Sequence, residues 1–166
     1  MLFRSYYVLD LNARKSLVRY LVGQGFSVFI TSWRNPGPEL AATTFDDYLM
    51  QGALAAIEAA CTVCRVRQVH AVGYCIGGTA LAALMAWLNR RHPDVKTVPV
   101  AHWTLLTTLV DFSRPGAIEV FVDEDTVDWL DRRMATRGFL DGRDMAWSFR
   151  MLRSNNLIWQ IGRAHV

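Results

Sequence analysis

The sequence predicts a chain of the α/β class, in which a mostly parallel sheet is flanked by helices and followed by a helical segment. Short apolar runs that suit strands alternate with longer stretches of helical periodicity up to about residue 111. The strand-like runs are nearly continuous in apolar residues, which is typical of strands that are covered on both faces. Hydrophobic residues make up 52% of the 166 residues, which excludes a disordered chain and allows a sizeable core.

The first elements are predicted to be two strands separated by a helix. Tyr6 to Leu11 and Phe26 to Trp33 are rich in residues that favour strands. Between them, Ser16 to Val22 places its apolar side chains on one helical face, and Gly23 ends that helix. Residues 34–38 carry Asn, Pro and Gly and are therefore predicted to form a loop.

A long helix is predicted next, from Phe45 to about Ala60. Thr43 or Thr44 can cap its N-terminus, and Asp46 and Asp47 suit the positive end of the helix dipole.

The remaining elements complete the alternation of strands and helices. Gln68 to Tyr74 is a predicted strand, Gly77 to Arg90 a predicted helix, and Val95 to about Leu109 contains a further strand. The uncharged run from residue 71 to 88 is broken by glycines near its start, so we expect no transmembrane helix. Residues 117–159 have helical patterns without a clear strand.

Charge and cysteine content restrict the classes of function. The formal net charge is +3 and no basic run of five or more occurs, so a nucleic-acid partner is not expected. Three cysteines, an odd count, favour a reduced cytoplasmic protein over a disulfide framework, and the N-terminus lacks the pattern of a secretory signal. Cys61 and Cys64 form a C-x-x-C pair without a second pair of ligands, so we predict two half-buried thiols and no metal site.

The motif that carries chemistry is Gly73-Tyr74-Cys75-Ile76-Gly77-Gly78. It has the G-x-C-x-G pattern, the cysteine form of the nucleophile elbow of α/β-hydrolases. The pattern predicts that Cys75 lies in a strained strand-to-helix turn, with glycines where strand and helix crowd together. The helix N-terminus would favour negative charge on the sulfur and on an oxyanion, for which the Ile76 backbone N–H is the predicted donor.

A cysteine nucleophile needs a base and an orienting acid, which follow the nucleophile in the chain order of this fold. His70 lies in the elbow strand, His92 at a helix end and His102 in the next strand, and none of these positions suits the base. His165 belongs to a terminal segment discussed below, and Asp111 comes too early to be assigned as the acid. We therefore predict that neither the acid nor the base is in this chain.

Several stretches besides the elbow resemble class I polyhydroxyalkanoate synthases. They follow in order as residues 6–11, 16–21, 28–36, 45–48, 73–79, 104–112 and 121–124. The resemblance runs from about Tyr6 to Trp159.

This resemblance implies an acyltransferase that polymerises 3-hydroxyacyl-coenzyme A thioesters into a polyester, with Cys75 as the acyl acceptor. It implies a partial α/β-hydrolase core over residues 6–111 and the start of a cap subdomain over residues 112–159. It also implies no cofactor other than the coenzyme A thioester substrate, a homodimer in the full-length protein, and a cytoplasmic location at polyhydroxyalkanoate granules. The family's Asp and His lie beyond the matching stretch, so we expect this chain alone to be inactive.

Both ends of the chain match translations of a common sequencing-library adapter. We therefore expect residues 1–5 and 160–166 to be adapter-derived and the natural sequence to run from about Tyr6 to Trp159.

Two other functions fit the residues. A cysteine esterase or thioesterase of the same fold would let water attack the acyl-cysteine. A non-catalytic domain that binds granules through an apolar surface would not use Cys75 at all.

Overall fold

The computed structural model describes residues 9–114, 116, 124–140 and 142. They fall into two compact units. The first comprises the described residues of Met1–Arg34 and Thr43–Phe112, and the second those of Asn35–Ala42 and Ser113–Val166.

The first unit begins with a small antiparallel hairpin. Strand β1 (Asp10–Asn12) pairs with β2 (Lys15–Ser16), and the Asn12 side chain accepts the backbone N–H groups of the turn between them. The strand predicted over Tyr6 to Leu11 is therefore displaced, and residues 6–8 lie outside the described residues. It pairs with the neighbouring β2 instead of joining the β3–β4 sheet, because Asn12 favours a tight turn at this point.

Helix α1 (Leu17–Gly23) confirms the predicted helix. The Ser16 hydroxyl caps it by accepting the Arg19 backbone N–H at 2.8 Å. Such a cap satisfies one of the donors that a helix start leaves without an intrahelical partner.

The strand predicted over Phe26 to Trp33 is wrong. The described strands form only two two-stranded sheets, β1–β2 and β3–β4, and neither contains this segment. Phe26 and Phe29 are 55% and 51% exposed. β-propensity reflects packing against neighbouring strands, and among the described residues this segment has no neighbour with which to form a ladder. The segment ends on the Trp33 ring, which lies against Gly52 and has its centroid 5.3 Å from that of Tyr48.

A continuous helical stretch runs from Phe45 to Cys64, beyond its predicted end. It consists of α2 (Phe45–Asp47), a π-helical segment (Tyr48–Leu54) and α3 (Ala55–Cys64). Thr44 and Asp47 form a capping box, which selects Thr44 of the two predicted caps. Hydrogen bonds from the Thr44 backbone and then from its hydroxyl lower the pKa of the Asp47 carboxyl. Arg65 ends the helix with a left-handed backbone, φ 54°.

The central motif of the first unit is a parallel strand–helix–strand unit. Strand β3 (Val69–Tyr74) leads into α4 (Ile76–Arg91), and β4 (Val100–Leu106) returns parallel to β3. These elements confirm the predictions for this region. The coarse assignment to the α/β class is confirmed by the mixture of helices with this small parallel sheet.

The core lies between α4, the π-helical segment and one face of the sheet. Leu84 and Leu88 of α4 are 0% and 1% exposed, and Val98 and Val100 close the core beside β4. The other face carries the exposed side chains of His70, Val72, His102 and Thr104. Helices α3 and α4 contact β3. Since the face that carries His70 and His102 is exposed, the predicted covering of both faces by helices is not observed among the described residues.

The second unit contains helix α5 (Glu124–Arg137), which agrees with the helical pattern predicted beyond residue 117. Arg133 lies over the Trp129 ring, 5.0 Å from its centroid. In the described part of the chain, no helix is both long enough and apolar enough to cross a membrane.

Candidate nucleophile elbow

Cys75 is the single residue between strand β3 and helix α4. Its backbone has φ 55° and ψ −127°. A non-glycine residue with positive φ is uncommon, and such strain costs on the order of 1–3 kcal/mol. The structure therefore has the strained strand-to-helix turn that the G-x-C-x-G pattern predicts.

Three backbone hydrogen bonds hold this strained turn. The Cys75 N–H donates to the Leu106 carbonyl at the end of β4, at 2.9 Å. The Cys75 carbonyl accepts from the N–H groups of Gly78 and Thr79, at 2.9 and 3.3 Å. One bond joins the turn to the neighbouring strand and two join it to the first turn of α4, so both the N–H and the carbonyl of Cys75 are fixed.

Glycine is needed at two positions around Cys75 for different steric reasons. A Cβ on Gly73 would lie 2.5 Å from the Gly78 Cα and 3.0 Å from the Gly77 carbonyl oxygen. A Cβ on Gly78 would collide with the Thr108 side chain and lie 2.8 Å from the Thr108 Cβ. The crowding of strand and helix expected from the motif is present, and Gly78 takes part in it on the helix side.

The first turn of α4 surrounds Cys75 with backbone donors. Ile76 is its first residue, so its N–H is among the four that an α-helix leaves without an intrahelical acceptor. Cys75 itself is half-buried, and Ile76 is 39% exposed. The positive end of this 16-residue helix favours negative charge at its N-terminus. The role of Ile76 as an oxyanion donor stays a prediction.

His70 and His102 lie far from the elbow. They are partners across β3 and β4, and their rings stack with centroids 5.1 Å apart. His70 precedes Cys75 by five residues on an extended strand, which corresponds to a separation of about 16 Å. A general base must lie within hydrogen-bond reach of the proton it takes, so neither ring is placed to act on Cys75.

His92 also lies away from Cys75. His92 caps the opposite end of α4, about 24 Å along the helix from its start, and its Nδ1 lies 3.2 Å from the Thr97 hydroxyl. Asp111 is exposed in the segment after β4. His165 lies outside the described residues. That neither the acid nor the base is in this chain stays a prediction.

Cys61 and Cys64 are free and half-buried at the end of α3. The Cys61 thiol contacts the Pro99 carbonyl at 3.8 Å. Burial, followed by the neighbouring Cys64 and Glu58, raises the pKa of the Cys61 thiol. Among the residues that the structure describes, no three His, Cys, Asp or Glu side chains gather into a group that could hold a metal ion.

Sequence reasoning missed the residues at and just beyond the end of β4 that brace the elbow. The Thr79 hydroxyl donates to the Leu109 carbonyl at 2.7 Å, and the Thr108 hydroxyl donates to the Leu106 carbonyl at 3.1 Å. The predicted order of parallel strands could have indicated them, because the carboxyl ends of adjacent parallel strands meet at one edge of a sheet.

The fold and the site define an α/β protein with a cysteine at a strained strand-to-helix turn. No protein-family model matches the chain. It is 40% identical over 159 residues to the poly(3-hydroxyalkanoate) polymerase subunit PhaC of Cupriavidus necator, which covers 93% of this chain and 26% of that protein. It is 41% identical over 158 residues to the poly(3-hydroxyalkanoate) polymerase of Methylorubrum extorquens, with 93% and 25% covered. For the PhaC subunit of Rhizobium etli the values are 41% over 154 residues, with 93% and 24% covered.

The chain belongs to the poly(3-hydroxyalkanoate) polymerase family, as the resemblance of its motifs implied. It spans about a quarter of the length of these relatives.

Proposed function

We propose that this chain is the nucleophile-bearing segment of a poly(3-hydroxyalkanoate) polymerase with an α/β-hydrolase core. The observation that carries the proposal is the strained turn at Cys75, between a parallel strand and a 16-residue helix, in a chain whose relatives are named as such polymerases. A turn of this kind presents one side chain at the carboxyl ends of the strands, where open α/β sheets bind ligands. Here that side chain is a thiol.

In the proposed reaction, the Cys75 thiol gives its proton to a base, and its sulfur attacks the thioester carbonyl carbon of a 3-hydroxyacyl-coenzyme A. The bond from that carbon to the coenzyme A sulfur breaks, coenzyme A leaves as a thiol by taking that proton, and the acyl group remains on Cys75. A thiol suits this step because one thioester replaces another, so the exchange is nearly balanced in free energy.

The second step forms the polyester. The hydroxyl of the next 3-hydroxyacyl group, or of the chain end, attacks the acyl-cysteine carbonyl and gives its proton to a base. An ester bond forms and the Cys75 sulfur leaves. In both steps negative charge develops on the carbonyl oxygen, and the Ile76 N–H with the helix N-terminus stabilises it. Loss of one such donor typically lowers kcat by about 10²–10³.

The proposal assigns the base and the acid to parts of the polymerase outside the described residues. His70, His92 and His102 are remote from Cys75 along their own elements. We expect no cofactor apart from the coenzyme A thioester substrate. We also expect a homodimer in the full-length polymerase and a cytoplasmic location at polyhydroxyalkanoate granules.

A chimeric polymerase tests this function. The matching segment of the Cupriavidus necator polymerase is replaced by residues 6–159 of this chain, and the chimera is incubated with 3-hydroxybutyryl-coenzyme A. We expect release of coenzyme A together with polymer. Cys75→Ala should abolish both products, whereas Cys61→Ala, a matched control in another half-buried thiol, should retain them.

Three outcomes of this experiment contradict the proposal. Polymer formation by the Cys75→Ala chimera would exclude Cys75 as the nucleophile. Free 3-hydroxybutyrate without polymer would favour a thioesterase. Granule binding without release of coenzyme A would favour a non-catalytic domain.

A further inference from the structure

The segment that follows strand β4 turns back onto the first turn of helix α4. The chain changes direction at Thr107, which has φ 45°. Two hydroxyl groups then form hydrogen bonds here, one between the two elements and one between the segment and the end of β4. Thr79 on α4 donates to the Leu109 carbonyl at 2.7 Å, and Thr108 donates to the Leu106 carbonyl at 3.1 Å. The end of β4 is therefore attached to the helix that begins at Cys75.

The Leu106 carbonyl receives two donors. One is the Thr108 hydroxyl, and the other is the Cys75 backbone N–H at 2.9 Å. A carbonyl oxygen has two lone pairs, so one donor constrains the direction from which the other is accepted. The orientation of the carbonyl that anchors the strained Cys75 peptide thus depends on Thr108.

The Thr108 side chain also fills the space above Gly78. An added Cβ on Gly78 would lie 2.7 Å from the Thr108 Cγ2 and 2.8 Å from its Cβ. Gly78 in turn donates its N–H to the Cys75 carbonyl. Thr108 therefore touches two groups that bond to Cys75. One is the Leu106 carbonyl, which accepts the Cys75 N–H, and the other is Gly78, which donates its N–H to the Cys75 carbonyl.

We propose that Thr108 is a positioning residue for the Cys75 thiol, acting through the hydrogen bond from its hydroxyl to the Leu106 carbonyl. This inference rests on the proposed function of Cys75 as a nucleophile. Positive φ is unfavourable for cysteine, so the reactive arrangement persists only while its surroundings enforce it. Removing the Thr108 hydroxyl releases one of those constraints without touching the thiol.

The test measures the alkylation rate of each cysteine in this 166-residue chain. Iodoacetamide is added at neutral pH, and peptide mass spectrometry follows Cys75, with Cys61 and Cys64 as internal references. Thr108→Val removes the hydroxyl and retains the branched shape. We expect it to lower the Cys75 rate by about 3- to 10-fold, the factor that one neutral hydrogen bond typically carries, with the rates of the two reference thiols unchanged.

Thr108→Ser is the matched conservative variant, because it keeps the hydroxyl and removes only the methyl group. A Cys75 rate close to that of the parent chain would support positioning through the hydrogen bond. If Thr108→Val unfolds the chain, all three rates rise together, and Thr108→Ser decides: a parental Cys75 rate supports the inference, and a slow one overturns it. An unchanged Cys75 rate in a folded Thr108→Val chain also overturns it.

Alkylation needs no acyl substrate, so the proposal for Thr108 and the proposal of acyl transfer by Cys75 can each be refuted without the other. An effect of Thr108 on the thiol would persist even if Cys75 were not acylated in the chimeric polymerase. A lack of effect would leave the acyl-transfer proposal untouched.

Discussion

Replacing Gly73 with alanine should separate strand β3 from helix α4. The added Cβ would lie 2.5 Å from the Gly78 Cα, whereas ordinary contacts of this kind are 3.4–4 Å. A gap of about 1 Å must therefore open between two backbones, since no flexible side chain can move aside. Such overpacking costs about 1–3 kcal/mol, and the rigid contact places this case at the upper end. Alanine loses less conformational entropy on folding than glycine, which offsets about 0.5–1 kcal/mol of this cost. The net destabilisation is then about 2 kcal/mol.

Urea unfolding followed by far-UV circular dichroism measures this loss. Gly23→Ala is the matched control, because a Cβ on Gly23 would meet nothing within 4 Å, and its free energy of unfolding should stay within about 0.5 kcal/mol of the parent value. Equal stability of the Gly73→Ala and Gly23→Ala chains would refute the steric reasoning.

Three further variants probe the helix, the core and the cap. Gly78→Ala should destabilise the chain by about 1–3 kcal/mol, and adding Thr108→Ala should recover part of that loss, since the collision is with the Thr108 side chain; strict additivity in the double-mutant cycle would contradict this contact. Leu84→Ala, at a fully buried position, should cost about 2–5 kcal/mol in the same urea assay, and a loss below 1 kcal/mol would show that Leu84 is not in the core. Asp47→Asn tests pH dependence: capping lowers the pKa of the Asp47 carboxyl below its ordinary value of 3.8, so its stabilising contribution is present above that value and is lost as the pH falls through the lower folded value. Urea midpoints measured between about pH 5 and pH 2 should therefore fall more steeply for the parent than for Asp47→Asn, and parallel curves would contradict the assignment.

Elements stabilised by contacts between near neighbours in the chain were predictable from sequence. The predicted cap at Thr44 joins residues three positions apart and is present. Helix α4 and strand β3 also lie within a residue or two of their predicted bounds, because their long apolar patterns dominate local propensity.

The strand predicted over Phe26 to Trp33 was wrong because a strand depends on contacts with residues that are distant in the chain. Its residues favour a strand, but a strand exists only through hydrogen bonds to a neighbouring strand, and composition does not identify that neighbour. The π-helical segment within Tyr48–Leu54 was equally unpredictable, since its periodicity resembles that of an ordinary helix over so few residues.

The elbow was predictable in part from the sequence, and the rest depended on the tertiary structure. The spacing of Gly73, Cys75 and the following glycines determined that a cysteine would lie in a strained turn, because only small residues tolerate that crossing. Only the tertiary structure determined which residues hold the Cys75 backbone in its strained conformation. Leu106 at the end of the adjacent strand and Thr108 just after it reach the elbow from more than thirty residues along the chain. Parallel strands place their carboxyl ends side by side regardless of sequence separation, and that juxtaposition supplies contacts that no local pattern encodes.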